Sequence, residues 1–189
     1  MKKIFPVLLV ATLLFNFNTV YSQGCLTLNA GVQMPTGDLN NLVKSGYGFS
    51  AAVGFSIPFV PLEISLTAGY NNWAYKTQSI LSGTGVQTPV GNNNLYAIPV
   101  TIGPKLFIPF SVLVFKPYIG IDLGIVASSS TASGASYSTD FIYTPLLGFR
   151  LNLPPGIIAI DINIKDSNYK NSGQTFSWIS INGGLAISL

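Results

Sequence analysis

Seven charged residues stand at positions from which they could meet: Glu63, Lys105, Lys116, Asp122, Arg150, Asp161 and Lys165. Six of them lie between two apolar residues, and Lys165 lies between Ile164 and Asp166, so each must point away from its apolar neighbours. Acids and bases gathered out of water pair and hydrogen-bond, because an isolated buried charge is very costly. The residues therefore suggest a salt-bridge network first, and a gate or solute site in a narrow passage second. Two carboxylates, Asp122 and Asp161, would also suit glycosidase-like acid–base work. Other chemistry is excluded by composition. The chain has no histidine, so neither a Ser-His nor a Cys-His nucleophile pair can be built. Cys25 is the single cysteine, which rules out an intramolecular disulfide and a metal site built on His or Cys clusters. No cofactor is implied, and the chain reads as non-enzymatic.

The elements that would position these charges repeat with a period of two. From Tyr47 to Ile57, apolar Tyr47, Phe49, Ala51, Val53, Phe55 and Ile57 alternate with small residues. That is a strand with one greasy face. Eight such segments are expected, at 25–34, 46–58, 61–76, 94–109, 112–128, 139–153, 156–167 and 174–189. Parity sends Leu62, Ile64, Leu66 and Ala68 to one side, and Glu63, Ser65, Thr67 and Gly69 to the other. Rows such as Ile158, Ile160, Ile162 and Ile164, against Asp161, Asn163 and Lys165, repeat the division. Tight connections at 57–61, 108–112 and 153–156 alternate with longer polar ones at 35–45, 77–93, 128–138 and 166–174. Pro99, Pro104, Pro117 and Pro145 lie inside strands, where local breaks or bulges are expected because proline cannot donate to the ladder.

Composition agrees. Charged residues make up 8% of the 189-residue chain, and its mean hydropathy is +0.48. A soluble domain usually carries ~25% charged residues. The mature chain lacks the ~20-residue apolar runs of a helical membrane protein. Residues 1–22 read as a cleaved secretory signal: Lys2 and Lys3, then an apolar stretch, then Val20-Tyr21-Ser22. An uncleaved anchor and a lipoprotein acylated on Cys25 are the alternatives. Without Lys2 and Lys3, seven basic residues remain against six acidic, with no basic stripe for nucleic acid. Residues 23–189 then form one domain. An all-β, eight-stranded antiparallel transmembrane barrel reconciles export, high hydropathy and missing helical spans.

Aromatic residues fall towards the strand ends. Tyr47, Tyr70, Trp73, Tyr75, Tyr96, Tyr143 and Trp178 lie towards the long loops; Phe55, Phe107, Phe115 and Phe149 lie towards the short turns. Two belts at the two membrane interfaces are expected.

The opening hairpin carries the most local resemblance. Leu28-Asn29-Ala30-Gly31-Val32-Gln33 leads into Pro35-Thr36-Gly37-Asp38 and returns through Gly46-Tyr47-Gly48-Phe49. With the strand pattern, it resembles the OmpX- and OmpA-type "outer membrane protein beta-barrel" domains of Gram-negative bacteria. The resemblance spans residues 25–189 and is architectural. It implies short periplasmic turns, long external loops and an outer-membrane location. Chains of this kind commonly end on an aromatic residue; this one ends Ile187-Ser188-Leu189. Lipid-modifying barrels of this size use His and Ser, and histidine is missing.

The expected role is structural or surface-interacting, with the lumen closed by charge pairs. A small passive pore is one alternative, and a soluble lipocalin-like periplasmic carrier with the apolar face turned inward is another. Outer-membrane lipid is the expected partner of a monomer, with loops 77–93 and 128–138 as sites for an external ligand.

Overall fold

A computed structural model describes residues 24–76, 94–109, 114–130, 138–154, 156–171 and 174–189. The signal segment, loop 77–93 and residues 131–137 of the serine-rich connection lie outside the described residues, so the readings placed on them stand as expectations.

Eight strands close into one antiparallel barrel in sequence order: β1 Gly24–Thr36, β2 Gly46–Ser56, β3 Leu62–Ala74, β4 Asn94–Phe107, β5 Phe115–Ser130, β6 Ser138–Leu153, β7 Ile158–Asn171 and β8 Gln174–Ser188. β1 pairs with β8, so no edge is left open. The stagger follows from the ladder. The trail of partners from Leu26 runs through Val53, Leu66, Ile102, Leu123, Tyr143, Asn168 and Ser177 and returns to β1 at Thr36, ten residues further on. That shear tilts the strands and sets an interior that side chains can fill.

The period-two division appears as an outside and an inside. Leu28, Val32, Phe49, Leu66, Val100, Ile102, Ile119, Leu123, Ile125, Leu147, Ile181 and Leu185 are exposed on the outer wall. Glu63, Ser65, Thr67, Thr101, Lys105, Asp122, Arg150, Asp161, Asn163 and Asn182 are buried within. The interior is therefore not the apolar cup that a lipocalin-like carrier needs.

The in-strand prolines break the ladder without shifting it. Pairing lapses between Ala68↔Val100 and Asn71↔Ala97 beside Pro99, while Pro99 itself faces Val126 on the other side. Pro104 and Pro145 leave similar gaps towards β5 and β7, with the register unchanged across each. A strand residue sends its N–H to one neighbour only, so proline costs one ladder and spares the other.

Three features differ from the sequence reading. Part of the 35–45 connection is a short helix, α1, Gly37–Leu42. The connection expected at 166–174 is shorter: β7 runs on to Asn171, which pairs with Gln174 of β8. The first short turn holds Phe59 at φ 67, with Pro58 before it and Val60 N donating to Ile57 O at 3.3 Å. Glycine usually fills such a position, so the phenylalanine there is strained.

Candidate functional site

The lumen carries a layer of charge near the short turns, built from four strands. Glu63 of β3 faces Lys105 of β4 in register, and Arg150 of β6 faces Asp161 of β7. Neighbouring strands thus supply two acid–base pairs. Arg150 joins them across the tube: its Nη1 and Nη2 donate to Glu63 Oε2 and Oε1 at 2.7 and 3.0 Å, and its Nε donates to Asp161 Oδ2 at 3.2 Å. Lys105 Nζ lies 3.4 Å from Glu63 Oε1. A planar guanidinium suits this arrangement, because its donors point in fixed directions towards two carboxylates at once.

Aromatic rings hold the arginine in place. Phe107 of β4 and Tyr118 of β5 turn inward, with the Arg150 guanidinium carbon 5.2 and 6.0 Å from their ring centres. The Tyr118 hydroxyl donates to both Asp161 oxygens, at 2.9 and 3.1 Å. Asn163 Nδ2 donates to Asp161 Oδ1 at 2.8 Å, Asn182 Nδ2 to Asn163 Oδ1 at 2.9 Å, and Gln33 Nε2 to Asn182 Oδ1 at 3.3 Å. A polar chain therefore runs from β3 through β6, β7 and β8 to β1. Small residues make room for it. A Cβ on Gly54 would stand 2.6 Å from the Glu63 carboxyl, and one on Gly148 would stand 2.7 Å from the Tyr118 hydroxyl.

Higher in the lumen, Lys165 Nζ lies 3.5 Å from Asp122 Oδ2 as a separate pair. It borders a cavity of about 40 Å³ that also touches Gln33, Thr67 and Thr101. Asp122 Oδ1, Gln33 Oε1 and Thr67 Oγ1 are buried there without a protein partner, which suits a site wetted by internal water. Glu63, Asp122 and Asp161 balance Lys105, Arg150 and Lys165 in number, so the buried charges sum to zero.

Lys116 is the exception among the expected seven. It sits beside Arg150 in the β5–β6 register, but its side chain is exposed near the short turns and makes no ion pair among the described residues. Repulsion between neighbouring cations and the open mouth of the tube both favour that position.

Apolar packing fills the opposite end. Leu39 of α1 and Val43 just beyond it pack with Trp73, Ala97, Val126, Ile142, Tyr169 and Trp178. Trp73 and Trp178 are 1% exposed, with ring centres 5.3 Å apart. This corrects the belt assignment. Trp73 and Trp178 lie inside the barrel, Tyr75 packs against the same cluster, and Phe107 stacks on Arg150. Trp73 shares the parity of Glu63 and Thr67, Trp178 that of Ser180 and Asn182, and Phe107 that of Lys105. Tyr47, Tyr70, Tyr143, Phe55 and Phe115 do stand exposed on the outer wall; Tyr96 stacks on Tyr70 at 6.5 Å, and Phe149 packs on Phe115 at 5.1 Å.

Cys25, considered above as an acylation site, is buried in the lumen beside Ala159 and Ala186, with its Sγ 3.7 Å from the Thr27 hydroxyl. An acyl chain on that sulfur would have to leave from inside the tube. No group of three metal-ligating side chains occurs among the described residues.

No family model and no curated protein matches the chain. Solved structures do. Neisserial surface protein A (NspA) superposes with a TM-score of 0.63 at 16% identity, over 88% of this chain and 97% of that one. The fold is that of the small outer-membrane β-barrels. A major outer membrane protein from Thermus thermophilus gives a TM-score of 0.56 at 14% identity, over 88% and 99%. The N-terminal β-barrel domain of Pseudomonas aeruginosa OprF gives 0.53 at 9% identity, over 89% and 99%.

Tyr118, Asn163, Asn182 and Gln33 complete the network but carry no charge that would single them out in the sequence. The parity that places Lys116 and Asp122 inward places Tyr118 inward too, so the signal is present for that residue. Asn163 and Asn182 are readable only as inward-facing polar residues.

Proposed function

We propose that this chain is a non-enzymatic outer-membrane protein, a monomer exported by a cleaved signal, with a structural or surface-interaction role and a closed lumen. The observation that carries the reading is Arg150 bridging Glu63 and Asp161 across the tube. The Trp73–Trp178 layer supports it from the other end. The apolar outer wall fits lipid, and the strand alternation gives it no other use. With no histidine in the chain and the lumen carboxylates engaged by arginine, tyrosine, asparagine and lysine, an acid–base reaction lacks a free catalyst. Contacts with other molecules then fall to the long-loop side, where 77–93 and 128–138 are the candidate segments.

Single-channel recording on the mature chain, refolded and reconstituted in a planar bilayer, tests the reading. A flat trace from protein verified as folded is expected. Discrete, reproducible steps would instead make the chain a small pore, with Glu63, Arg150 and Asp161 as determinants of its selectivity.

A further inference from the structure

Below the Arg150 layer, on the short-turn side, the lumen widens into a vestibule of about 530 Å³. That volume is in the range of pockets that take small ligands. Apolar side chains, Val60, Pro61, Leu62, Ile108 and Ala186 among them, share its walls with polar Ser56, Asn152 and Ser188. Among the described residues, Lys116 and Arg150 are the two charged side chains that line it, and no acidic side chain does. Their situations differ. Arg150 is committed to Glu63 and Asp161, whereas Lys116 is unpaired among the described residues.

We propose that this vestibule binds a single-chain amphiphile with a carboxylate head, the head against Lys116 and the chain along the apolar wall. One uncommitted ammonium matches one negative charge, while Arg150 just above stays with Glu63 and Asp161, which offset its own charge. Asn152, which also lines the vestibule, offers a neutral donor to the same head. The apolar surface gives affinity and the lysine gives the choice of sign. The proposal goes beyond the closed-lumen reading and does not require the passage to conduct.

The test is a chemical-shift titration of ¹⁵N-labelled protein in phosphatidylcholine nanodiscs. Dodecanoate is compared with dodecyltrimethylammonium, which has the same tail and the opposite head, and with acetate, which has the head alone. Saturable shifts at the amides of Lys116, Asn152, Ala159 and Ala186 are expected for dodecanoate only. In Lys116→Gln, an exposed position at which the fold is expected to survive and can be checked in the same spectra, binding weakens about fivefold, the scale of one exposed ion pair. Equal shifts with both amphiphiles, saturation by acetate alone, no saturable shift, or an unchanged titration in Lys116→Gln would each overturn the proposal.

Discussion

Arg150 and Glu63 are 87 residues apart in the chain and three strands apart around the barrel, yet two N–H groups of one meet both oxygens of the other at 2.7 and 3.0 Å. Neither is exposed by more than a few per cent. Their partners differ enough that removing one or the other has separable consequences.

Glu63→Gln leaves Lys105 without its carboxylate and Arg150 with Asp161 alone. Breaking a buried pair from one side commonly costs about 3–5 kcal/mol. The midpoint of urea-induced unfolding in lipid vesicles should fall accordingly. Arg150→Met should fall less far, because Glu63 retains Lys105, and Asp161 retains Tyr118 and Asn163. An unchanged midpoint in both variants would show that the network does not stabilise the fold.

Tyr118→Phe keeps the ring over Arg150 and removes only the hydroxyl that donates to Asp161. A loss of about 1.5–3 kcal/mol is expected, as for one hydrogen bond to a charged group. Comparing Tyr118→Phe, Arg150→Met and the double variant measures the coupling. Additive losses would show that the two residues act on Asp161 independently.

Gly54→Val changes no charge but drives a side chain into the Glu63 carboxyl, 2.6 Å from the ideal Cβ position. Overpacking of this kind costs about 1–3 kcal/mol. If the cost operates through Glu63, Gly54→Val should be milder in a Glu63→Ala background. Equal losses in both backgrounds would assign the effect to the backbone.

Trp178→Ala empties the centre of the apolar layer formed with Trp73, Tyr169 and Leu39. Large aromatic truncations in packed cores cost about 3–5 kcal/mol. Unfolding followed through the remaining Trp73 checks this. A Trp178 bound for a lipid interface instead would show nearly neutral behaviour and fluorescence quenched by brominated lipid.

Leu147→Arg tests the outer wall. Leu147 is 57% exposed midway along β6, opposite Ile119 and Ile164. An arginine at the bilayer midplane costs about 2–4 kcal/mol. Folding into vesicles should weaken, while an exposed arginine on a soluble barrel would be tolerated.

The barrel is legible in the sequence because alternation leaves no choice: a one-residue error would put Glu63 and Asp161 into lipid. The same rule places the ion-paired side chains on one interior, although the ten-residue stagger that brings Arg150 level with Glu63 is a property of the closed ring and not of any one strand. The tryptophans mislead when aromatic preference is allowed to override parity, which already puts Trp73 on the side of Thr67. Leu39 and Val43, four residues apart in a polar connection, offer too short a pattern to announce α1. The β7–β8 hairpin is hidden because Asp166, Asn168 and Lys170 replace apolar residues on the outer side above Ile164, so the strand outlasts its greasy row.

The chain of contacts from Gln33 to Glu63 touches both sides of the β1–β8 seam and crosses the ring at Arg150. In a flat sheet, strands ~4.8 Å apart would hold β3 and β6 at roughly three spacings, too far for their side chains to meet face to face as they do across a tube. The bridge between Glu63 and Arg150 therefore exists only once the sheet has curled. Until then, Glu63 has only Lys105 on its neighbouring strand, and Arg150 only Asp161. An uncurled sheet can form the neighbouring pairs Glu63–Lys105 and Arg150–Asp161, but the bond that joins them is gained only on curling, which ties that part of the network to closure.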